Sequence, residues 1–407
     1  MRTQTIQKHN LTAIKWLTYL MFLMFAMTTD AVGNIIPDVI KEFDLSMLLA
    51  GAFHYVNMTA IALAAIFLGY LADKLGRKKT IIFGLILFAV PSYLFMAGNA
   101  FLLYLALLFI CGAGIGIFKT GALALVGDIS VSTSEHTTTM NTVEGFFAIG
   151  AIIGPAIVTR LLSSGFSWKW LYIIAGTICL LLIVTASMVK YPKTAKITNE
   201  PIDFKRTLGM MKDPYALGFS LGIFLYVAAE CAVYVWMPKL LADYTGSFSK
   251  LALYAVSIFF ILRAVGRFLG AWVLARYNWT SVMALFSLMI LICFAGSIAG
   301  GLPYTVWLMP LSGLFMSMIY PTLNSKGISC FPKTEHGTVA GVILFFTCVS
   351  AAAGPLAMGS VSDLFGHIKY GFVLATIFAG FLFIGTLVNW IYNPARSRLA
   401  ELDSSEY

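Results

Sequence analysis

Apolar residues along this chain fall in long unbroken runs rather than in strand-like alternation. Reading from the N-terminus, the runs lie at 13–40, 47–71, 79–98, 101–128, 137–163, 168–189, 214–242, 250–276, 280–300, 303–328, 337–360 and 369–392. A helix needs ~20 residues to cross the hydrocarbon core of a bilayer, and each run reaches about that length. In lipid, helices satisfy every backbone group within one segment. The pattern therefore predicts an all-α polytopic membrane protein with twelve transmembrane helices. The first run resembles a leader only superficially. It is too long, Asp30 interrupts it, and it has no clear small-residue cleavage site, so it is read as a span that stays.

The polar stretch 191–213 separates the sixth run from the seventh. Lys190, Lys193, Lys196, Lys205, Arg206 and Lys212 lie in or beside it. It reads as a cytoplasmic linker between an N-terminal bundle, 1–190, and a C-terminal bundle, 214–407. An internal repeat supports the division. Gly154-Pro155 recurs as Gly354-Pro355, Glu135-His136 as Glu335-His336, and Pro37 as Pro238. A near-constant offset of about 200 residues, kept in the same order, is the signature of a duplicated unit. An even number of spans in each copy gives both halves the same orientation, so the halves are parallel six-helix pseudo-repeats.

Composition agrees with a lipid environment. Charged residues make up 11% of the chain, hydrophobic ones 59%, and the mean hydropathy is +0.87. A soluble domain carries about 25% charged residues. The net charge of +9 would suggest nucleic acid in a soluble protein, but here the side of the membrane explains it. With a cytoplasmic N-terminus, Arg2, Lys8, Lys15, Lys74, Arg77, Lys78, Lys79, the linker cations, Arg276, Lys333, Arg396 and Arg398 all fall inside. Only Lys41, Arg160, Lys169, Lys239, Lys250 and Lys369 fall outside. Cytoplasmic loops carry such an excess of Lys and Arg, which places both termini and the linker in the cytoplasm of a bacterial inner (plasma) membrane, with no nucleic-acid partner. The six cysteines lie in or at the ends of apolar runs without Cys-x-x-Cys pairing. Buried small hydrophobes fit them better than disulfides or a metal site. No nucleophile or metal constellation suggests an enzyme.

One loop carries a motif. Between the second and third runs the chain reads Gly69-Tyr-Leu-Ala-Asp73-Lys-Leu-Gly76-Arg77-Lys78-Lys79. This closely resembles the corresponding loop of the major facilitator superfamily, in which the acid caps a neighbouring helix end and pairs with arginine as a cytoplasmic latch. Gly69, Asp73, Gly76, Arg77 and Lys78 match that pattern. A degraded second copy, Gly266-Arg267-Phe-Leu-Gly270 leading to Arg276, lacks the acid. The resemblance implies alternating access by two parallel halves. Asn141-Thr-Val-Glu144 through Gly154-Pro155, Tyr226-Val-Ala-Ala-Glu230 and Tyr320-Pro321-Thr322 further resemble the fucose–proton symporter family, which includes bacterial glucose/mannose members. The chain departs from it in span four, where Lys119 stands in place of a proton-linked acid. Gly154-Pro155 also resembles part of the span-five motif of drug–proton antiporters.

Ionisable groups at membrane depth are costly and point to function. Asp30, Lys119, Glu144, Glu230, Arg263, Arg267 and Lys326 qualify. Asp30, beside Thr28, Thr29 and Asn34, is expected to bind solute or proton. Lys119 and Glu144 lie at similar depths and either form an ion pair or leave Lys119 open to an anionic solute. Glu230 lies at a depth like that of Asp30, and Arg263 lies deep enough to pair with it or to bind an anion. Arg267 reads as part of the second-half latch, and Lys326 as a residue that snorkels. Tyr55, Asn57, Asn141, Tyr226, Tyr234, Trp236, Tyr320 and Asn324 supply the amide and aromatic groups that suit a sugar. Gly112, Gly114 and Gly116 read as close helix packing rather than a phosphate loop. The sequence thus points to a proton-coupled symporter of a monosaccharide, sugar acid or other small organic anion. A proton-coupled exporter of amphipathic compounds is the alternative. The expected partners are the solute, protons and the bilayer. The proton gradient serves in place of any cofactor, and a monomer is expected.

Overall fold

Span one is not one continuous helix. Helix Arg2–Thr29 ends at a bend over Asp30 and Ala31, and Val32–Phe43 follows. The computed structural model describes residues 2–45, 49, 52–192, 209–241 and 244–406; most of the 191–213 linker lies outside them. The remaining spans follow in order: Ala52–Leu68, Arg77–Leu94, Phe101–Asp128, Thr133–Ser163, Trp170–Met188, Pro214–Leu241, Ala255–Leu274, Trp279–Gly300, Leu302–Ser329, Lys333–Leu364 and Ile368–Tyr392. They agree with the apolar runs to within a few residues. Among the described residues there is no strand, and the architecture is the twelve-helix membrane fold.

Three further spans carry local irregularities. Span seven passes through a π-helical turn at Ala232–Trp236, two residues after Glu230. Span ten is two helices, Leu302–Met316 and Ile319–Ser329. Span eleven enters through a 3₁₀ turn at Lys333–Glu335. A short helix, Leu71–Lys74, lies between spans two and three, and Arg396–Glu406 ends the described chain.

By contacts the chain divides into two units. Unit one comprises Met1–Val131, Phe146–Asp213 and Phe331–Phe345; unit two comprises Ser132–Gly145, Pro214–Cys330 and Phe346–Tyr407. The division therefore cuts through spans five and eleven. The first part of span five packs within unit two, and the first part of span eleven packs within unit one.

Within unit one, glycines let spans approach backbone to backbone. A Cβ on Gly150 would lie 2.1 Å from the Leu23 carbonyl oxygen, and one on Gly154 would lie 2.0 Å from that of Met27. Unit two repeats the arrangement one offset later. Ser350 Oγ donates to the Phe224 carbonyl at 2.6 Å, and a Cβ on Gly354 would sit 2.9 Å from Ala228 Cα. Residues 150 and 154 of span five thus meet 23 and 27 of span one, as 350 and 354 of span eleven meet 224 and 228 of span seven. The repeated Gly-Pro pairs mark the same helix crossing in each copy. Gly112 and Gly116 press on Asn57 and Ile61 of span two, and Gly114 presses on Gly84 of span three. Small residues at such crossings stand in for the hydrophobic drive that lipid removes. Phe22, Phe25, Phe88 and Phe118 fill the interior beside them, with the Phe25 and Phe118 rings 4.6 Å apart. All six cysteines are buried, and none is in a disulfide.

Candidate functional site

The loop motif forms a buried cluster of ion pairs and hydrogen bonds wholly inside unit one. Gly76 sits at φ 86°, a left-handed conformation that glycine adopts without strain, and it turns the chain into the helix beginning at Arg77. That turn places Asp73 and Arg77 side by side, 3% and 2% exposed. Asp73 accepts from the backbone N–H of Gly337 and Thr338 and from the Thr338 hydroxyl, each at 2.9 Å. These donors belong to the first turn of helix His336–Leu364, where unpaired N–H groups and the helix dipole favour a carboxylate. Arg77 bonds Asp73 Oδ1 through Nη1 at 2.5 Å and Asp128 Oδ2 through Nε at 2.9 Å, and it donates to the Lys333 carbonyl. Burial pushes the Asp73 carboxyl up from its ordinary pKa, against the opposing pull of Arg77, Gly337 and Thr338. Gly69 belongs to the same contact, since a Cβ there would meet the Gly337 carbonyl and Gly341 Cα at 3.2 Å. Lys78 does something different. Its ammonium caps the end of span six by donating to the carbonyls of Ser187 at 2.7 Å and Val189 at 2.8 Å. Sequence reasoning missed Asp128, although an acid closing a long apolar run was a usable signal.

Unit two gathers most of the membrane-depth charges. Arg263 Nε lies 2.9 Å from Glu230 Oε1, which also accepts from the Tyr226 hydroxyl at 2.5 Å. The last contact follows from an i, i+4 spacing on one helix face. The Tyr226 and Tyr320 rings are 6.4 Å apart. Arg267 donates through Nη1 to the Glu144 backbone carbonyl at 2.7 Å, and its Nη2 lies 3.4 Å from Glu144 Oε2. The sequence left Glu144 open as a partner for Lys119, but its carboxylate is taken up by Arg267. Arg267 therefore serves a buried pair, not the latch expected from its motif. Asn141 donates to the Thr137 carbonyl at 3.0 Å and towards Thr322 Oγ1 at 3.4 Å. Asn324 is fully buried, and neither polar atom of its side chain has a hydrogen-bond partner among the described residues. Further along the same face, His136 meets Ser329 at 2.6 Å, Thr137 meets Ser325 at 3.0 Å, and Lys326 donates to the Thr133 carbonyl at 3.2 Å. Lys326 is 5% exposed, so it is engaged inside the unit and does not snorkel.

In unit one, Asp30 is exposed at the break in span one and accepts from its neighbour Thr29 Oγ1 at 2.8 Å. Asn34 donates to Thr159 Oγ1 at 3.1 Å. Tyr55 is 44% exposed. Lys119, part-exposed in span four, has its ammonium 4.5 Å from the Phe147 ring centre and 5.9 Å from that of Phe22. A lysine at span centre costs about 2.5–3.5 kcal/mol on insertion scales, and a cation–π contact returns about 0.5–2 kcal/mol. Among the described residues, no group of three or more His, Cys, Asp or Glu could hold a metal ion.

Apolar spans in two parallel repeats, ionisable groups held at membrane depth and a buried charge cluster at the helix ends fit a membrane carrier. The Major Facilitator Superfamily profile matches residues 18–355, and the chain belongs to that superfamily. It is a transporter, not an enzyme. It is 25% identical over 405 residues to the L-fucose-proton symporter of Escherichia coli (strain K12), covering 89% of this chain and 90% of that one. It is 23% identical over 376 residues to a glucose/galactose transporter of Brucella abortus biovar 1 (strain 9-941), covering 86% and 88%. Among solved structures it resembles a Major Facilitator Superfamily transporter, FucP, in the outward conformation. That match has a TM-score of 0.77 and 23% identity, and it covers 91% of this chain and 97% of the other.

Proposed function

We propose that this chain is a proton-coupled symporter that takes up a small polar solute, a monosaccharide or a sugar acid, by alternating access of the bundles 1–190 and 214–407. Asp30 carries the reading. It is an exposed carboxyl at a helix break in a membrane-spanning segment, with a hydroxyl on one oxygen. Such a group can gain and lose a proton while the backbone around it bends. The relatives support the class of solute, one being named a fucose–proton symporter and another a glucose/galactose transporter.

The candidate solute and proton groups are Asp30, Asn34, Tyr55 and Lys119 in unit one and Asn141, Glu144, Tyr226, Glu230, Arg263, Tyr320 and Asn324 in unit two. Gly69, Asp73, Gly76, Arg77 and Lys78 form the latch. The Lys/Arg distribution supports a bacterial plasma-membrane protein with both termini cytoplasmic. The proton gradient is the sole energy source in this reading, and the unit of transport is a monomer.

Reconstituted vesicles test it. With the outside acidic, labelled hexose or hexuronate accumulates above equilibrium, and a protonophore collapses the gradient of solute. Accumulation that instead requires an acidic interior identifies an exporter and overturns the proposal.

A further inference from the structure

Lys119 stands apart from the other cations at membrane depth. It lies nine residues before the end of span four, Phe101–Asp128, so ~14 Å along the axis at 1.5 Å per residue. That is about one third of the way in from the Asp128 end, well inside the apolar span. Arg263 and Arg267 each meet a carboxylate, and Lys326 donates to a carbonyl. Among the described residues, the contacts of the Lys119 ammonium are ring faces. Among the described residues none of its three ammonium donors is taken by an acceptor, and its neighbours Phe118 and Thr120 are fully buried.

A ring face stabilises a cation but accepts no full hydrogen bond from it. The arrangement holds the ammonium in place and leaves its donors for something that arrives. Asp30 is not that group by position. It lies eight residues beyond Phe22 in chain order, ~12 Å of helix rise away, so it does not compete for the lysine as a near neighbour. Unit one therefore presents a cation with open donors at one depth, an acid at another, and the rings of Phe22 and Phe147 beside the cation.

We propose that Lys119 reads a carboxylate on the transported solute, so that the cargo is a monoanionic sugar acid rather than a neutral sugar. This rests on the symporter reading above and narrows its substrate. One ammonium matches one negative charge. A phosphate ester would bring a second charge that one ammonium does not match, in a medium that penalises unpaired charge. The flanking rings suit the C–H face of a compact sugar ring. The transport step also changes character. One proton moving with a monoanion carries no net charge, so accumulation follows the pH gradient and ignores the membrane voltage. A proton moving with a neutral sugar is driven by both.

Binding and transport are measured separately on the purified full chain. Ligand-induced thermal shifts compare galacturonate, galactose and galactose 6-phosphate. The expected result is galacturonate binding at least tenfold tighter than either of the others, a preference lost in Lys119→Gln and kept in Lys119→Arg. Equal or tighter binding of galactose overturns the inference, as does tighter binding of the phosphate or an unchanged preference in Lys119→Gln. The Lys119→Arg variant separates a folding defect from loss of the cation. Uptake under an imposed pH gradient, with and without a voltage, tests the symporter reading independently. Galactose driven by both overturns the carboxylate assignment and leaves proton symport standing. Absence of any gradient-driven uptake, with the galacturonate preference intact, overturns symport alone.

Discussion

The Glu144–Arg267 contact gives the most exacting test of the membrane-depth charges. Both partners are buried, at 3% and 1% exposure, and the charged atoms are 3.4 Å apart. At an effective dielectric of about 20, that separation corresponds to roughly 5 kcal/mol of attraction. Replacing Glu144 by Gln leaves a buried guanidinium without its charge partner, a change that costs about 3–5 kcal/mol. Arg267 keeps its bond to the Glu144 backbone carbonyl, which sets the expectation at the lower end, about 3 kcal/mol. At roughly 2–4 °C per kcal/mol for a domain of 150–250 residues, unfolding in detergent should come about 6–12 °C earlier. Arg267→Gln strands the carboxylate instead and should cost a similar amount. The double variant removes both charges, so its cost should fall short of the sum by about 2–3 kcal/mol. Thermal unfolding of the four proteins closes the cycle. Additive losses, or a Glu144→Gln protein that melts with the wild type, would refute the pairing.

Four further outcomes follow from the same geometry. Gly154→Ala drives a Cβ into the Met27 carbonyl oxygen and should cost about 1–3 kcal/mol of stability. Gly218→Ala, where a Cβ meets nothing within 4 Å, should be neutral or gain up to ~1 kcal/mol of helix stability; thermal unfolding reads both. Thr338→Val removes the hydroxyl donor to Asp73 and should cost about 1.5–3 kcal/mol, the range for a hydrogen bond to a charged group. Replacing Asp30 with Asn should abolish proton-driven accumulation without reducing expression, which uptake assays and membrane yield measure together.

The spans were legible because their signal is local: an apolar run of sufficient length means a helix in lipid wherever it packs. The Glu230–Arg263 pair was legible for a similar reason, since two charges at one depth in consecutive spans have few other partners. The repeat was also visible in Gly154-Pro155 and Gly354-Pro355, though their shared task, pressing span five on Met27 and span eleven on Ala228, needed coordinates. Other features depend on which helices cross. Glu144 belongs to the part of span five that packs within unit two, so its partner is Arg267; nothing in its neighbouring residues says so. Asp128 joins Arg77 across 51 positions. The π-helical turn after Glu230 carries no composition of its own. At Lys119 the sequence showed a charge in an apolar run, and only the structure showed that rings surround it.

Proton movement is the most direct test of the central claim. De-energised vesicles holding the wild-type protein are suspended in weakly buffered medium, and galacturonate or galactose is added while external pH is recorded. Symport takes protons in with the solute, so the medium should turn alkaline, and the Asp30→Asn protein should give no change. A flat trace from wild-type vesicles that nonetheless take up solute, or an acid shift, would contradict the account.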